Sequence, residues 1–97
     1  MGTYILLVNS TDQGAKGVRE IPARQESSRQ TAKELGIVRK AVYMTFGPYD
    51  FVQIIEAPDD AAVAKYVLTV NSKGNVRTTT MRAFDEPEHF EFIKDLS

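Results

Sequence analysis

The sequence predicts an α+β fold of ferredoxin-like type, and three observations carry that prediction. Four short stretches rich in apolar and β-branched residues alternate with two helical stretches in the order β-α-β-β-α-β. Two of the strands, the first and the third, are apolar on both faces. Gly36 and Gly74 stand just past the two helical stretches, where a left-handed residue ends a helix.

Tyr4 to Val8 is a continuous apolar run and reads as the first strand. Ser10-Thr11-Asp12-Gln13 has the spacing of a capping box, with Ser10 as N-cap and Gln13 reaching back. Gly14 and Gly17 weaken regular helix there, so a loose turn is expected. Pro22 suits the first turn of a helix running to Leu35, although Ile21 ahead of it is a poor cap. Val18, Ile21, Gln25, Ser28, Ala32 and Leu35 line one face, only moderately apolar in its middle.

Val38 to Phe46 reads as the second strand, Gly47-Pro48 as a turn and Phe51 to Ala57 as the third strand. Pro58 ends that strand, and Asp59 and Asp60 cap and charge a helix to about Lys73 that buries Val63, Val67 and Val70. Val76 to Phe84 is a polar, β-branched strand suited to a sheet edge. Glu86 to Leu96 predicts a short terminal helix with Phe90, Ile93 and Leu96 as a docking stripe. The whole of residues 1–97 is one domain, without repeats or linker.

Right-handed crossovers put both main helices on one face of the sheet. The other face, with the double-sided first and third strands beneath it, calls for a cover, and a second copy of the same sheet is the simplest one. The expectation is a homodimer or higher oligomer built through the sheet face, of the dimeric α/β-barrel type. Gln53 lies between Phe51 and Ile55, whereas Val52 and Ile54 have no polar companion between them. Val52 and Ile54 are therefore expected under the helices, and Phe51, Gln53 and Ile55 on the open face.

Composition bounds the function. With 97 residues, 42% hydrophobic and 26% charged, the chain is ordinary for a soluble domain, and no apolar run is long enough to cross a bilayer. No secretory signal opens it, so the expected compartment is the cytoplasm. Twelve basic against thirteen acidic residues exclude a strongly basic nucleic-acid binder. The absence of cysteine removes disulfides and thiolate chemistry, and a single histidine removes a multi-histidine metal site within one chain. No metal and no cofactor is expected, and no catalytic residue is assigned.

The candidate ligand site is the mouth of the third strand: Asn9, Tyr49, Asp50 and Gln53, placed in a cleft between subunits. Asp50 bonding its own turn amides, with Tyr49 packed on the hairpin, is the competing structural reading, and the preferred one. Arg77 to Arg82 fits a charge-protected edge as well as a pairing surface. A cofactor-independent enzyme using Tyr49, Asp50 or His89 as acid or base is the alternative function. It requires one of those groups inside a cavity.

Gly47-Pro48-Tyr49-Asp50 heading an apolar strand, then Glu56-Ala57-Pro58-Asp59-Asp60, then Gly74-Asn75-Val76-Arg77-Thr78-Thr79-Thr80, resembles the GYD-domain family, named for its Gly-x-Tyr-Asp stretch. Thr3 to Asn9 and Thr11-Asp12-Gln13-Gly14 are similar to its opening. The resemblance spans nearly the whole chain and implies a small prokaryotic dimeric α/β barrel of no established activity. Ile21 before Pro22 departs from the capping residue more usual there. The same features are more distantly similar to the effector-binding domains of leucine-responsive regulators, which bind small molecules between subunits. That likeness implies an oligomeric small-ligand-binding or regulatory module.

Overall fold

The computed structural model describes residues 1–96. Its elements are β1 (Gly2–Ser10), α1 (Asp12–Lys16), a 3-10 turn (Val18–Glu20), α2 (Ile21–Glu34), β2 (Val38–Met44), β3 (Phe51–Ala57), α3 (Asp60–Ser72), β4 (Val76–Ala83) and α4 (Glu86–Lys94). The antiparallel sheet has the order β2-β3-β1-β4, so the two doubly apolar strands are central, as the ferredoxin-like pattern requires. Gly36 and Gly74 have positive φ, +73° and +81°, and close α2 and α3 in the way their positions predict.

The core sits between the sheet and the helices. Tyr4, Leu6 and Val8 of β1 and Ile55 and Ala57 of β3 face Ala62, Val63 and Tyr66 of α3 and Ala32 of α2. Asp59 caps α3 by accepting from the backbone N–H of Ala62 at 2.9 Å. Polar bonds hold α2. Arg39, on the helix side of β2, donates to Gln25 Oε1 at 2.7 Å, to the Gln25 carbonyl at 3.0 Å and to Ser28 Oγ at 3.1 Å. That clamp explains why a helix with so few large apolar residues still docks.

Three local expectations are corrected. Thr11, not Ser10, caps α1, accepting from the Gly14 N–H at 3.2 Å. Gln13 leaves the capping role to reach across to the Lys73 carbonyl at 3.0 Å and Asn75 Oδ1 at 2.9 Å. The face assignment of β3 is inverted: Gln53 and Ile55 lie under the helices, and Val52 and Ile54 lie on the open face. The reason is Tyr66, whose hydroxyl donates to Gln53 Oε1 at 2.8 Å and so satisfies a polar group inside the core.

The terminal helix behaves differently from its expected docking. None of its residues is buried, and Phe90, Ile93 and Leu96 are each more than half exposed. Its attachments are to the end of β4 and the residue after it: Phe84 meets Phe92 edge to face at 5.1 Å, and Arg82 lies 3.7 Å from Glu88. The radius of gyration of 14.8 Å exceeds the roughly 12.5 Å expected of a compact chain this long.

Candidate functional site

Three features could carry function, and each follows from how a strand end or a helix face is built. The first is the corner where β1 ends and β3 begins. Asp50 donates its backbone N–H to the Val8 carbonyl at 2.9 Å, and its carboxylate accepts from the Ser10 N–H at 2.8 Å. Thr45 closes the loop, donating its N–H to the Asp50 carbonyl at 2.8 Å and its hydroxyl to the Tyr49 carbonyl at 2.6 Å. The Gly-Pro-Tyr-Asp segment is thus a clasp that stitches the start of β3 to the end of β1. A carboxylate so engaged is a positioned acceptor.

The structure brings Asn9, Tyr49 and Asp50 to this one end of the central strands. It does not bring Gln53 with them. Asn9 follows Val8 and therefore points to the open face, whereas Gln53 pairs with Leu6 and points into the core. Asp50 does line a shallow cavity of about 250 Å³ with Met44, Thr45, Val18 and Ile21. His89 lies on α4, away from this cavity and from the larger one below, with Nδ1 3.3 Å from the Phe84 carbonyl.

The second feature is the open sheet face. Register places Ile5 between Ile54 and Met81, and Leu7 between Val52 and Thr79. Tyr43 stands opposite Val52 and Ala41 opposite Ile54, so the apolar surface runs across all four strands. Its central residues are only half-buried, and Tyr43 is 59% and Met81 42% exposed. The helix-side residues of β1, by contrast, are almost completely covered. Lys40 at the β2 bulge pairs with Glu56 at 3.2 Å, and Asn9 with Arg77 beside it marks the opposite polar border. An apolar centre with a charged rim has the anatomy of an interface.

The third feature is a cavity of about 330 Å³ between the sheet and the two main helices. Leu6, Val8 and Phe51 form its floor and Val67 and Val70 its α3 wall. Along α2 it is lined by Ile21 and Arg24 at the helix start and then by Ala23, Gln25, Ser27 and Ser28, side chains short or polar enough to leave the middle of the gap unfilled. Gln53 and Tyr66 are its inner polar groups. Burial pushes the Tyr66 phenol up from its ordinary value of 10.0, so it stays a hydrogen-bond donor at neutral pH. Arg24 donates to the Gly14 carbonyl at 3.1 Å and to the Gly17 carbonyl, while its Nε is buried with no partner. Lys73 reaches across the helix gap to Ser27 Oγ at 2.6 Å.

Sequence reasoning missed Tyr66, Arg24 and Lys73. Tyr66 follows Val63 by three residues and Arg24 follows Ile21 by three, so helical spacing offered a signal for both. Lys73 carried none, being the last residue before a predicted glycine cap. Among the described residues, no group of three or more His, Cys, Asp or Glu side chains is placed to hold a metal ion. No helix among them is long and apolar enough to cross a membrane.

The family model described as the GYD domain matches residues 4–93. The chain belongs to the GYD-domain family. It is 39% identical over 84 residues, 86% of this chain and 88% of the relative, to a Thermus thermophilus protein named glutamine synthetase and cystathionine beta-lyase binding protein. Among solved structures it is similar to MtbAldR, with a TM-score of 0.68 and 21% identity over 88% of this chain and 52% of that one. The feast or famine regulatory protein from M. tuberculosis complexed with L-methionine gives a TM-score of 0.63 and 15% identity, covering 88% and 51% of the two chains. This GYD domain therefore spans about half the length of those two chains. A third structure, from Thermus thermophilus, is matched over 95% of its length, with a TM-score of 0.61 and 24% identity over 88% of this chain. At such identities these structures establish the fold, an α+β domain shared with those chains, and no activity.

Proposed function

We propose that this GYD domain is a small, non-catalytic binding or regulatory module that self-associates through its open sheet face and engages a metabolic enzyme as protein partner. The observation that carries the reading is the apolar stripe of Ile5, Leu7, Val52 and Ile54, left half-buried on the sheet face opposite the core. A soluble domain of this size gains much from covering such a surface. The name of the Thermus relative supports the protein-partner half of the proposal. Asn9, Tyr49 and Asp50 then sit at the rim of the subunit boundary, where the Asn9 amide and the Tyr49 phenol are the polar groups offered to a small ligand.

Light scattering coupled to size exclusion tests the first half. Twice the monomer mass or more is expected at micromolar concentration, and Leu7→Lys should return the chain to monomer with an unchanged circular-dichroism spectrum. A monomeric parent protein removes the proposal's foundation. For the second half, glutamine synthetase and cystathionine beta-lyase from the same genome are immobilised and the protein is passed over each. Saturable binding to at least one is expected; binding to neither sinks the enzyme-partner reading.

A further inference from the structure

We infer that the cavity between the sheet and helices α2 and α3 is a site, complete within one subunit, for a small apolar carboxylate. Three observations lead there, independent of any assembly. The first is size. The cavity is a cleft open to solvent at one side, and about 330 Å³ lies within the range of small-ligand pockets. The second is the cause of the space. After Ile21, the α2 side of the cavity presents Ala23, Gln25, Ser27 and Ser28 where a packed helix would continue with leucine-sized residues, and Arg39 and Lys73 hold that helix in place by polar bonds instead. The gap is thus braced open at its edges.

The third observation is the distribution of polarity. The floor and the α3 wall, Leu6, Val8, Phe51, Val67 and Val70, suit a branched aliphatic or aromatic body. Cationic groups gather on the helix side: the Arg24 guanidinium, with a buried Nε–H that has no acceptor, and the Lys73 ammonium. Glu20 also lines the opening, so two positive charges face one negative. The Arg39 Nε is buried without a partner as well, but Arg24 is the one that lines this cavity, and a small shift of its side chain would bring its Nε–H to a carboxylate oxygen as a charge-assisted bond. Within the core, Gln53 spends its carbonyl oxygen on Tyr66, leaving its amide N–H groups as donors beside the apolar floor. Apolar walls with donors and cations, and a single acid at the rim, select an anion with an apolar body over a cation or a sugar.

The test uses 3-phenylpropionate and octanoate, with 3-phenylpropanamide and octanol as neutral counterparts, titrated into the full chain by ¹⁵N- and methyl-detected NMR. The acids should perturb the Arg24 Nε–H, the Gln53 side-chain amide and the Val67 and Val70 methyls, and bind about tenfold more tightly than the neutral probes. Arg24→Gln should remove that preference while leaving neutral-probe binding in place. Because Arg24 also ties down the Gly14 and Gly17 carbonyls, Lys73→Met and the cavity-filling Val70→Phe serve as independent variants. The first should weaken acid binding alone, and the second should abolish binding of every probe without lowering the melting temperature. The inference is overturned if no probe shifts the cavity resonances at millimolar concentration, if acid and neutral probes bind equally, or if Val70→Phe leaves binding intact. The monomeric Leu7→Lys variant should bind as the parent does, which separates this site from the sheet-face proposal.

Discussion

The carboxylate of Asp50 accepts a hydrogen bond from the backbone N–H of Ser10 at 2.8 Å, across 40 residues of chain. It stitches the Gly-Pro-Tyr-Asp turn to the end of the central strand, and the Asp50 N–H to the Val8 carbonyl continues the seam. Asp50→Ala should therefore cost about 1.5–3 kcal/mol, the usual worth of a hydrogen bond to a charged group. Urea denaturation gives the number, and Asp50→Asn should recover part of it through its amide oxygen. An Asp50→Ala protein as stable as the parent would show that the carboxylate is held for a ligand instead.

Tyr66 and Gln53 form a polar pair inside the core, 2.8 Å apart. Removing one partner strands the other, so Tyr66→Phe should destabilise by about 1–3 kcal/mol. Adding Gln53→Leu to Tyr66→Phe should restore most of the loss, because both polar groups are then gone. Thermal melts of the two single variants and the double variant form the cycle that measures the coupling. Simple additivity would mean that water already satisfies Gln53.

Gly14 approaches the residue before β4 so closely that a Cβ there would lie 2.0 Å from the Asn75 carbonyl oxygen. That oxygen is backbone, already bonded to the Thr11 N–H at 3.0 Å, and cannot swing aside. Gly14→Ala should cost about 3 kcal/mol through overpacking. Gly2→Ala is the informative control, since its Cβ would meet the guanidinium end of the long Arg82 side chain at 2.9 Å, which can shift where a backbone oxygen cannot. The second variant should melt within a few degrees of the parent; equal losses at both positions would refute the packing account.

Two tyrosines give stability a sign at alkaline pH. The hydrogen bond to the Asp60 carboxylate, followed by burial, pushes Tyr4 up, and burial pushes Tyr66 up, each from 10.0. Groups raised in the folded state contribute fully below their unfolded value. The contribution is lost as pH rises through the folded value. Stability should therefore owe no pH dependence to these residues near neutrality and should fall above about pH 10. Tyr66→Phe should flatten that fall, as followed by urea midpoints across the alkaline range. An identical slope in the variant would place the effect elsewhere.

What the residues alone determine here is periodic and local. Apolar runs at Tyr4 to Val8 and Phe51 to Ala57, glycines at 36 and 74, and Pro58 before Asp59 set the element order. The right-handed crossover rule then places β1 and β3 at the centre of the sheet. The GYD resemblance follows from motif order and spacing, which are also properties of the chain in one dimension. Only the tertiary structure decided which side of β3 faces the helices. Alternation says that Val52 and Ile54 share a face, but which face depends on Tyr66, thirteen residues beyond Gln53, arriving with a hydroxyl. The same holds for the candidate sites. Asp50 meets Ser10, and Arg24 and Lys73 line one cavity, because folding brings them together. Pairwise satisfaction of buried polar groups is a property of three-dimensional neighbours, and a one-dimensional pattern carries no term for it.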